Sequence, residues 1–260
     1  MPTALITGAS SGIGEQFAYA LAAQKYDLVL TARREDRLET VAASARKLGA
    51  GRADIIAIDL GQRGAPAEIH ARLEATGIEI HYLVNNAGFG TAGRFAALPI
   101  ERELEQIDLN VTALVALTRL FLPAMVERGR GTIINVASTA AFQAVPYMST
   151  YAATKAFVLS FSEGLAGELA GSGVNVLALC PGPVRTEFQA IARNDRGLVP
   201  SFVYLDAASV ASQGVAAAAS GRTVLINGAM NFTMAQATRV MPRALINLIA
   251  RRIYRPVASD

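Results

Sequence analysis

Short apolar runs alternate with longer amphipathic stretches along almost the whole chain. Ala4-Leu5-Ile6, residues 27–32, 54–58, 80–84, 131–137, 174–179 and 223–226 are each a few residues long and rich in Val, Ile and Leu. Runs of that length suit strands buried on both faces of a sheet. Between them the apolar positions take the spacing of helices, over 13–25, 35–47, 66–76, about 99–128 and about 151–171, with another helix after Asp206. Strand and helix alternate without a break. The pattern predicts one doubly wound α/β domain with a seven-stranded parallel sheet and helices on both faces.

The first turn of this pattern carries the first candidate chemistry. Thr7-Gly8-Ala9-Ser10-Ser11-Gly12-Ile13-Gly14 follows the first strand directly and opens the first helix. Glycines in such a place permit a tight turn, close approach of the backbone to a pyrophosphate, and close packing of helix on strand. The N–H groups of the helix start then face the phosphates. The second strand ends at Arg33-Arg34, with Glu35 and Asp36 only after the pair. An acid at that strand end would bond a ribose 2′-hydroxyl and select NAD, whereas arginine accommodates a 2′-phosphate. The reading is NADP, with Arg33 first and Arg34 second. Asp59-Leu60 ends the third strand, and the carboxylate there either accepts from an adenine amino group or caps the next helix. Asn85-Asn86-Ala87-Gly88 ends the fourth, where side-chain amides can fix neighbouring strand ends beneath a cofactor. His81 has no other ligand type at useful spacing and reads as structural.

Tyr151 and Lys155 stand at i and i+4 on one helix face. An ammonium beside a phenol favours phenolate, and a drop of ~2–3 in the phenol pKa corresponds to roughly 3–4 kcal/mol. Such a tyrosine can exchange a proton with a carbonyl or alcohol oxygen as hydride moves at carbon. Ser138, at the end of the fifth strand, can hydrogen-bond the same oxygen. Asn110 lies mid-helix, where asparagine needs partners, and could hold a water linking the lysine to solvent.

Taken together, these residues resemble the short-chain dehydrogenase/reductase family over Thr3 to about Gly228. The glycine loop, Asn86-Ala87-Gly88, Asn110, Ser138 thirteen residues before Tyr151, and Lys155 fall in the family's order. Pro181-Gly182 followed by Val184 and Thr186 is similar to the segment that holds the nicotinamide carboxamide. The resemblance implies a Rossmann-like fold and NADP-dependent carbonyl or alcohol chemistry. Tyr151 would be the acid/base, with Ser138, Lys155 and Asn110 around it, and the assembly a homodimer or homotetramer. The alternative is a non-catalytic NADP-binding sensor or scaffold; the intact serine, tyrosine and lysine favour the enzyme.

Composition narrows the rest. One cysteine, Cys180, and two histidines leave little for disulfides or a metal, and a reducing cytoplasm is the default. No apolar run reads as long enough to span a bilayer, and no signal peptide is expected, since the sequence runs straight into a strand. The net charge of +3 is local: residues 207–259 hold six arginines and no acid. Nucleic acid is therefore not an expected partner. The division expected is a dinucleotide-binding and catalytic unit over 1–230 and a helical extension over 231–260. In that extension Met241, Leu245, Ile249 and Ile253 form one stripe, and Arg243, Asn247, Arg251 and Arg255 another. This basic amphipathic helix packs on its own subunit or in an oligomer, the preferred reading, or rests on an anionic membrane. Phe89, Phe142, Val145, Tyr147, Met148, Phe188, Val203 and Tyr204 are expected to wall an apolar substrate site; Arg193 and Arg196 either meet an anionic substrate group or, the preferred reading, are solvated loop charges.

Overall fold

The computed structural model describes residues 1–188 and 204–253, so the expectations for Arg193, Arg196, Val203 and Arg255 fall outside the described residues. Seven parallel strands form one sheet: β1 (Thr3–Thr7), β2 (Asp27–Ala32), β3 (Ala53–Ala57), β4 (Ile80–Asn85), β5 (Gly131–Val136), β6 (Val174–Cys180) and β7 (Val224–Ile226). Their order is β3-β2-β1-β4-β5-β6-β7, so the winding reverses between β1 and β4. This is a Rossmann-like fold, and ligands of such sheets bind at the strand C-termini beside that reversal.

Helices α1 (Gly12–Ala23) and α2 (Glu35–Leu48) cover one face. They are joined there by α7 (Ala207–Ala219), whose N-terminus is capped by the Asp206 carboxylate accepting from Ser209 N–H at 2.9 Å. Phe17, Leu21, Leu28, Leu30, Val210 and Val215 fill the core between these helices and the sheet. The opposite face carries α3 (Ala65–Ala75), α4 (Ile100–Ile107), α5 (Ala113–Glu127) and α6 (Ser149–Glu168). There Leu5, Leu83, Ile133, Leu117, Phe121 and Met125 form the core. Every residue of β1 is buried, as a strand covered on both sides requires.

The stretch expected as one helix over 99–128 is interrupted. Between α4 and α5 the backbone opens into a π turn at Asp108–Thr112, and Asn110 lies in it. The combined run Ile100–Glu127 is also long and apolar enough to cross a membrane by length and composition, contrary to the expectation that no run is. Its apolar side at Leu114, Leu117, Phe121 and Met125 is buried in this fold.

A buried polar ladder locks strand ends to helices. Asn85 Nδ2 donates to Thr118 Oγ1 at 3.0 Å and to Asn135 Oδ1 at 2.9 Å, and Asn135 Nδ2 donates to Ser162 Oγ at 2.9 Å. Each amide would carry a desolvation cost without its partner.

After β7 the chain forms two helices, α8 (Ala229–Val240) and α9 (Arg243–Ile253). The periodicity reading did not resolve α8. In α9 the buried positions are Ile246 and Ala250, whereas Leu245 and Ile249 of the expected stripe are 44% and 42% exposed. The inward face is therefore offset by one residue from the expected stripe.

Candidate active site

The C-terminal ends of the strands open into a cavity of about 800 Å³. The turn after β1 forms one end of it. Gly8 and Gly12 adopt φ of 65° and 62°, left-handed conformations that glycine takes without strain. A Cβ on Gly14 would lie 2.3 Å from the Gly8 carbonyl oxygen, so only glycine lets α1 start so close to β1. Asn86 clamps this turn: its Nδ2 donates to Thr7 O at 2.9 Å and to Gly8 O at 3.3 Å. Thr7 Oγ1 in turn accepts from Asn86 N–H and Ala87 N–H, each at 2.9 Å. The first-turn N–H groups of α1 have no helical carbonyl to bond and are presented to the cavity.

Of the residues expected from sequence, Gly8, Ser10, Ser11, Gly12, Ile13, Arg33, Arg34, Asp59, Leu60, Asn86, Ala87 and Gly88 line this cavity. So do Ser138, Tyr151, Lys155, Pro181, Gly182, Val184 and Thr186. Gly14 and Asn110 stand behind the wall. The two arginines differ. Arg34 donates to Ser11 Oγ at 3.0 Å and Ser10 Oγ at 3.4 Å, and forms a two-point ion pair with Glu187 at 2.8 and 3.4 Å. Hydrogen bonding from Arg34 holds the Glu187 carboxyl below its ordinary pKa. Arg33 makes no hydrogen bond or ion pair among the described residues and remains available for an anion. Of the two roles open to Asp59, the helix cap is not taken. Asp59 Oδ1 accepts from Gly61 N–H at 3.0 Å, and α3 is preceded by Gly64 instead.

At the other end of the cavity, Tyr151 is 9% and Lys155 6% exposed. Lys155 Nζ stands 5.9 Å from the centre of the Tyr151 ring and donates to Val136 O at 2.7 Å. Burial pushes the lysine pKa down to about 8. Ser138 is an N-cap, its Oγ accepting from Ala140 N–H at 3.1 Å, which leaves the hydroxyl proton to donate elsewhere. The Asn110 side chain is fully engaged: its Nδ2 donates to Phe89 O at 2.9 Å and to the Thr154 hydroxyl at 3.1 Å, and its Oδ1 accepts from Phe89 N–H at 3.1 Å. It therefore pegs the loop after β4 to α6. His81 is structural, its Nδ1 accepting from Thr3 N–H at 3.3 Å, with its pKa lowered first by burial and then by Arg128.

Phe142, Val145, Met148, Phe188 and Tyr204 wall the inner cavity as expected. Phe89 does not line it; its ring lies under the Arg102 guanidinium at 4.3 Å. Tyr147 is also off the wall, at a positive φ of 67°. The walls that sequence reasoning missed are Met230, Met234, Ala235 and Thr238 of α8, together with Asn231. The signal was present as Met230, Met234 and Thr238 at four-residue spacing.

A parallel sheet wound in this order, with a glycine-lined helix start at its reversal, defines a dinucleotide-binding α/β protein. The short chain dehydrogenase family model matches residues 2–197, and the chain belongs to that family. A short chain dehydrogenase of Pseudocercospora fijiensis is 38% identical over 195 residues, 72% of this chain and 61% of that protein. A solved short-chain dehydrogenase from Sphingobium yanoikuyae in complex with NADPH is 33% identical, with a TM-score of 0.82 over 100% of this chain and 99% of that one. The bulky-bulky ketone specific alcohol dehydrogenase from Comamonas testosteroni is 31% identical, with a TM-score of 0.78 over 98% and 99%. The chain spans about three-fifths of the length of the curated relatives it first matches.

Proposed function

We propose that the protein is an NADP-dependent oxidoreductase that interconverts an apolar ketone or aldehyde and its alcohol. The observation that carries this reading is one cavity holding Ser138, Tyr151 and Lys155 at one end and the glycine turn with Arg33 and Arg34 at the other. The residues fit a dinucleotide. Gly8, Gly12 and Gly14 leave room that a Cβ would fill, and the Arg33 guanidinium, unpaired among the described residues, suits a 2′-phosphate. When bound, the nicotinamide supplies or accepts the hydride.

The chain's own residues do the rest. The Tyr151 hydroxyl gives its proton to the substrate carbonyl oxygen, or takes it from the alcohol. The Ser138 hydroxyl donates to that oxygen as charge develops on it. Lys155, as ammonium, favours the phenolate left behind. Asn110 and Asn86 hold the loops that shape the pocket. Phe142, Val145, Met148, Phe188 and the α8 methionines exclude water around an apolar substrate. The ketone specificity of the Comamonas relative supports this substrate class.

Self-association is part of the reading. Ile100, Leu104 and Ile107 of α4 and Phe157 of α6 are between 38% and 56% exposed, an apolar surface suited to a symmetric contact between copies. A panel of ketones and aldehydes scored by loss of NADPH absorbance tests the function. Turnover of bulky apolar ketones supports it. NADPH binding with no turnover across the panel would favour the sensor or scaffold instead.

A further inference from the structure

The Tyr151 ring is held by two segments of chain, and one buried carboxylate grips both. Glu103 of α4 is 4% exposed and forms no ion pair among the described residues. Each of its oxygens instead accepts a threonine hydroxyl. Oε1 takes the hydroxyl of Thr91, and Oε2 that of Thr150. Thr91 belongs to the loop after β4, and its N–H donates to Gln106 Oε1 at 2.8 Å. Thr150 is the second residue of α6 and immediately precedes Tyr151.

The loop pinned by Thr91 is itself a wall of the tyrosine. A Cβ on Gly90 would lie 3.1 Å from Tyr151 Cδ2 and 3.1 Å from Phe188 Cζ, so the loop backbone lies directly on the ring. The ring also packs on Phe188 at 5.3 Å between centroids. Burying a carboxylate without a cation is expensive, and a well-packed apolar side chain in its place is often equally stable. Stability alone therefore gives little reason for an acid here.

We propose that Glu103 is a positioning residue for Tyr151. By holding Thr150 it sets the rotation of the first turn of α6, and by holding Thr91 it presses the Gly90 backbone against the ring. The phenol hydroxyl then stands in one place relative to Ser138 and Lys155. This inference rests on the reading of Tyr151 as acid/base. Reaction geometry is steep: a misplacement of about 1 Å costs on the order of a hundredfold, and a partial one about tenfold.

The test uses the full chain as wild type, Glu103→Gln and Thr150→Val. Glutamine keeps the shape but turns one acceptor oxygen into an amide donor; valine removes only the α6 arm. Three quantities are read: the NADPH dissociation constant by fluorescence, kcat and KM on the best ketone of the panel, and the titration of Tyr151. The last comes from NMR of ring-13C-tyrosine protein with NADP⁺ bound, the resonance assigned by its loss in Tyr151→Phe. The expected result is an unchanged dissociation constant, a kcat lower by about tenfold in both variants with KM little altered, and a shifted Tyr151 titration. If Tyr151 already titrates as an ordinary tyrosine in the wild type, the acid/base reading fails and this inference with it. If it is perturbed in the wild type while both variants keep its titration and kcat, Glu103 is merely structural and only the inference falls. Should Glu103→Gln fail to fold, Thr150→Val decides alone, and full kcat in it overturns the proposal.

Discussion

Replacing Lys155 by methionine should make the protein more stable while removing its activity. The lysine is 6% exposed, and burial lowers its pKa from 10.5 to about 8. One pKa unit is worth about 1.4 kcal/mol, so holding the ammonium there costs the fold ~3 kcal/mol at neutral pH. Methionine fills similar space with no charge. It also gives up the 2.7 Å hydrogen bond to Val136 O. That loss offsets ~1 kcal/mol, which leaves a net gain of about 2 kcal/mol. The sign with pH follows from proton binding. Between about pH 8 and 10.5 the unfolded lysine holds a proton that the folded one has released. Wild-type stability attributable to this group therefore rises with pH across that window. The advantage of Lys155→Met should be complete at pH 7 and reverse to a deficit of ~1 kcal/mol above pH ~10.5, where only the lost hydrogen bond remains. Urea unfolding of the ligand-free protein at a series of pH values reads both quantities, and other titrating groups cancel between the two proteins. A variant that is less stable than wild type at pH 7, or a gap that does not change with pH, would refute the reasoning. A stability cost retained at a reaction site is the expected signature of function.

Two further outcomes concern the cofactor end. Arg33→Glu should weaken NADPH binding by about tenfold or more, the worth of a charge-assisted hydrogen bond, and leave NADH nearly unaffected; equal loss for both in fluorescence titrations would make the arginine structural. Glu187→Gln should strengthen NADPH a few-fold, because the exposed Arg34–Glu187 pair is worth under about 1 kcal/mol and competes with a phosphate for Arg34. Unchanged or weaker NADPH affinity in that variant would show that Arg34 does not reach the 2′-phosphate.

Local features were legible in the sequence because their causes are local. The apolar run of β1, the glycines after it and the helix beyond are fixed by short-range sterics, and the other strands announce themselves by burial on both faces. Asp206 was readable as a cap for the same reason. Features decided by distant residues were not. The π turn around Asn110 exists where the chain must present that amide to Phe89 and Thr154, contacts separated by 21 and 44 residues. Which arginine is engaged depends on Glu187, 153 residues away. Helix α8 falls almost entirely within the helical extension expected over 231–260, but the place of its methionines on the cavity wall is set by packing against distant parts of the chain and was not legible. Glu103 looks in sequence like one more acid on the polar face of a helix. Only folding reveals that it is buried against Thr91 and Thr150.

The account stands on Tyr151 moving the proton, and one substitution addresses that directly. Tyr151→Phe removes a single oxygen from a side chain whose ring contacts with Gly90 and Phe188 are unchanged. With NADPH and the best ketone of the panel, the variant should bind the cofactor as wild type does and show turnover reduced by at least a hundredfold, the usual worth of a positioned general acid. Turnover within a few-fold of wild type would contradict the central claim.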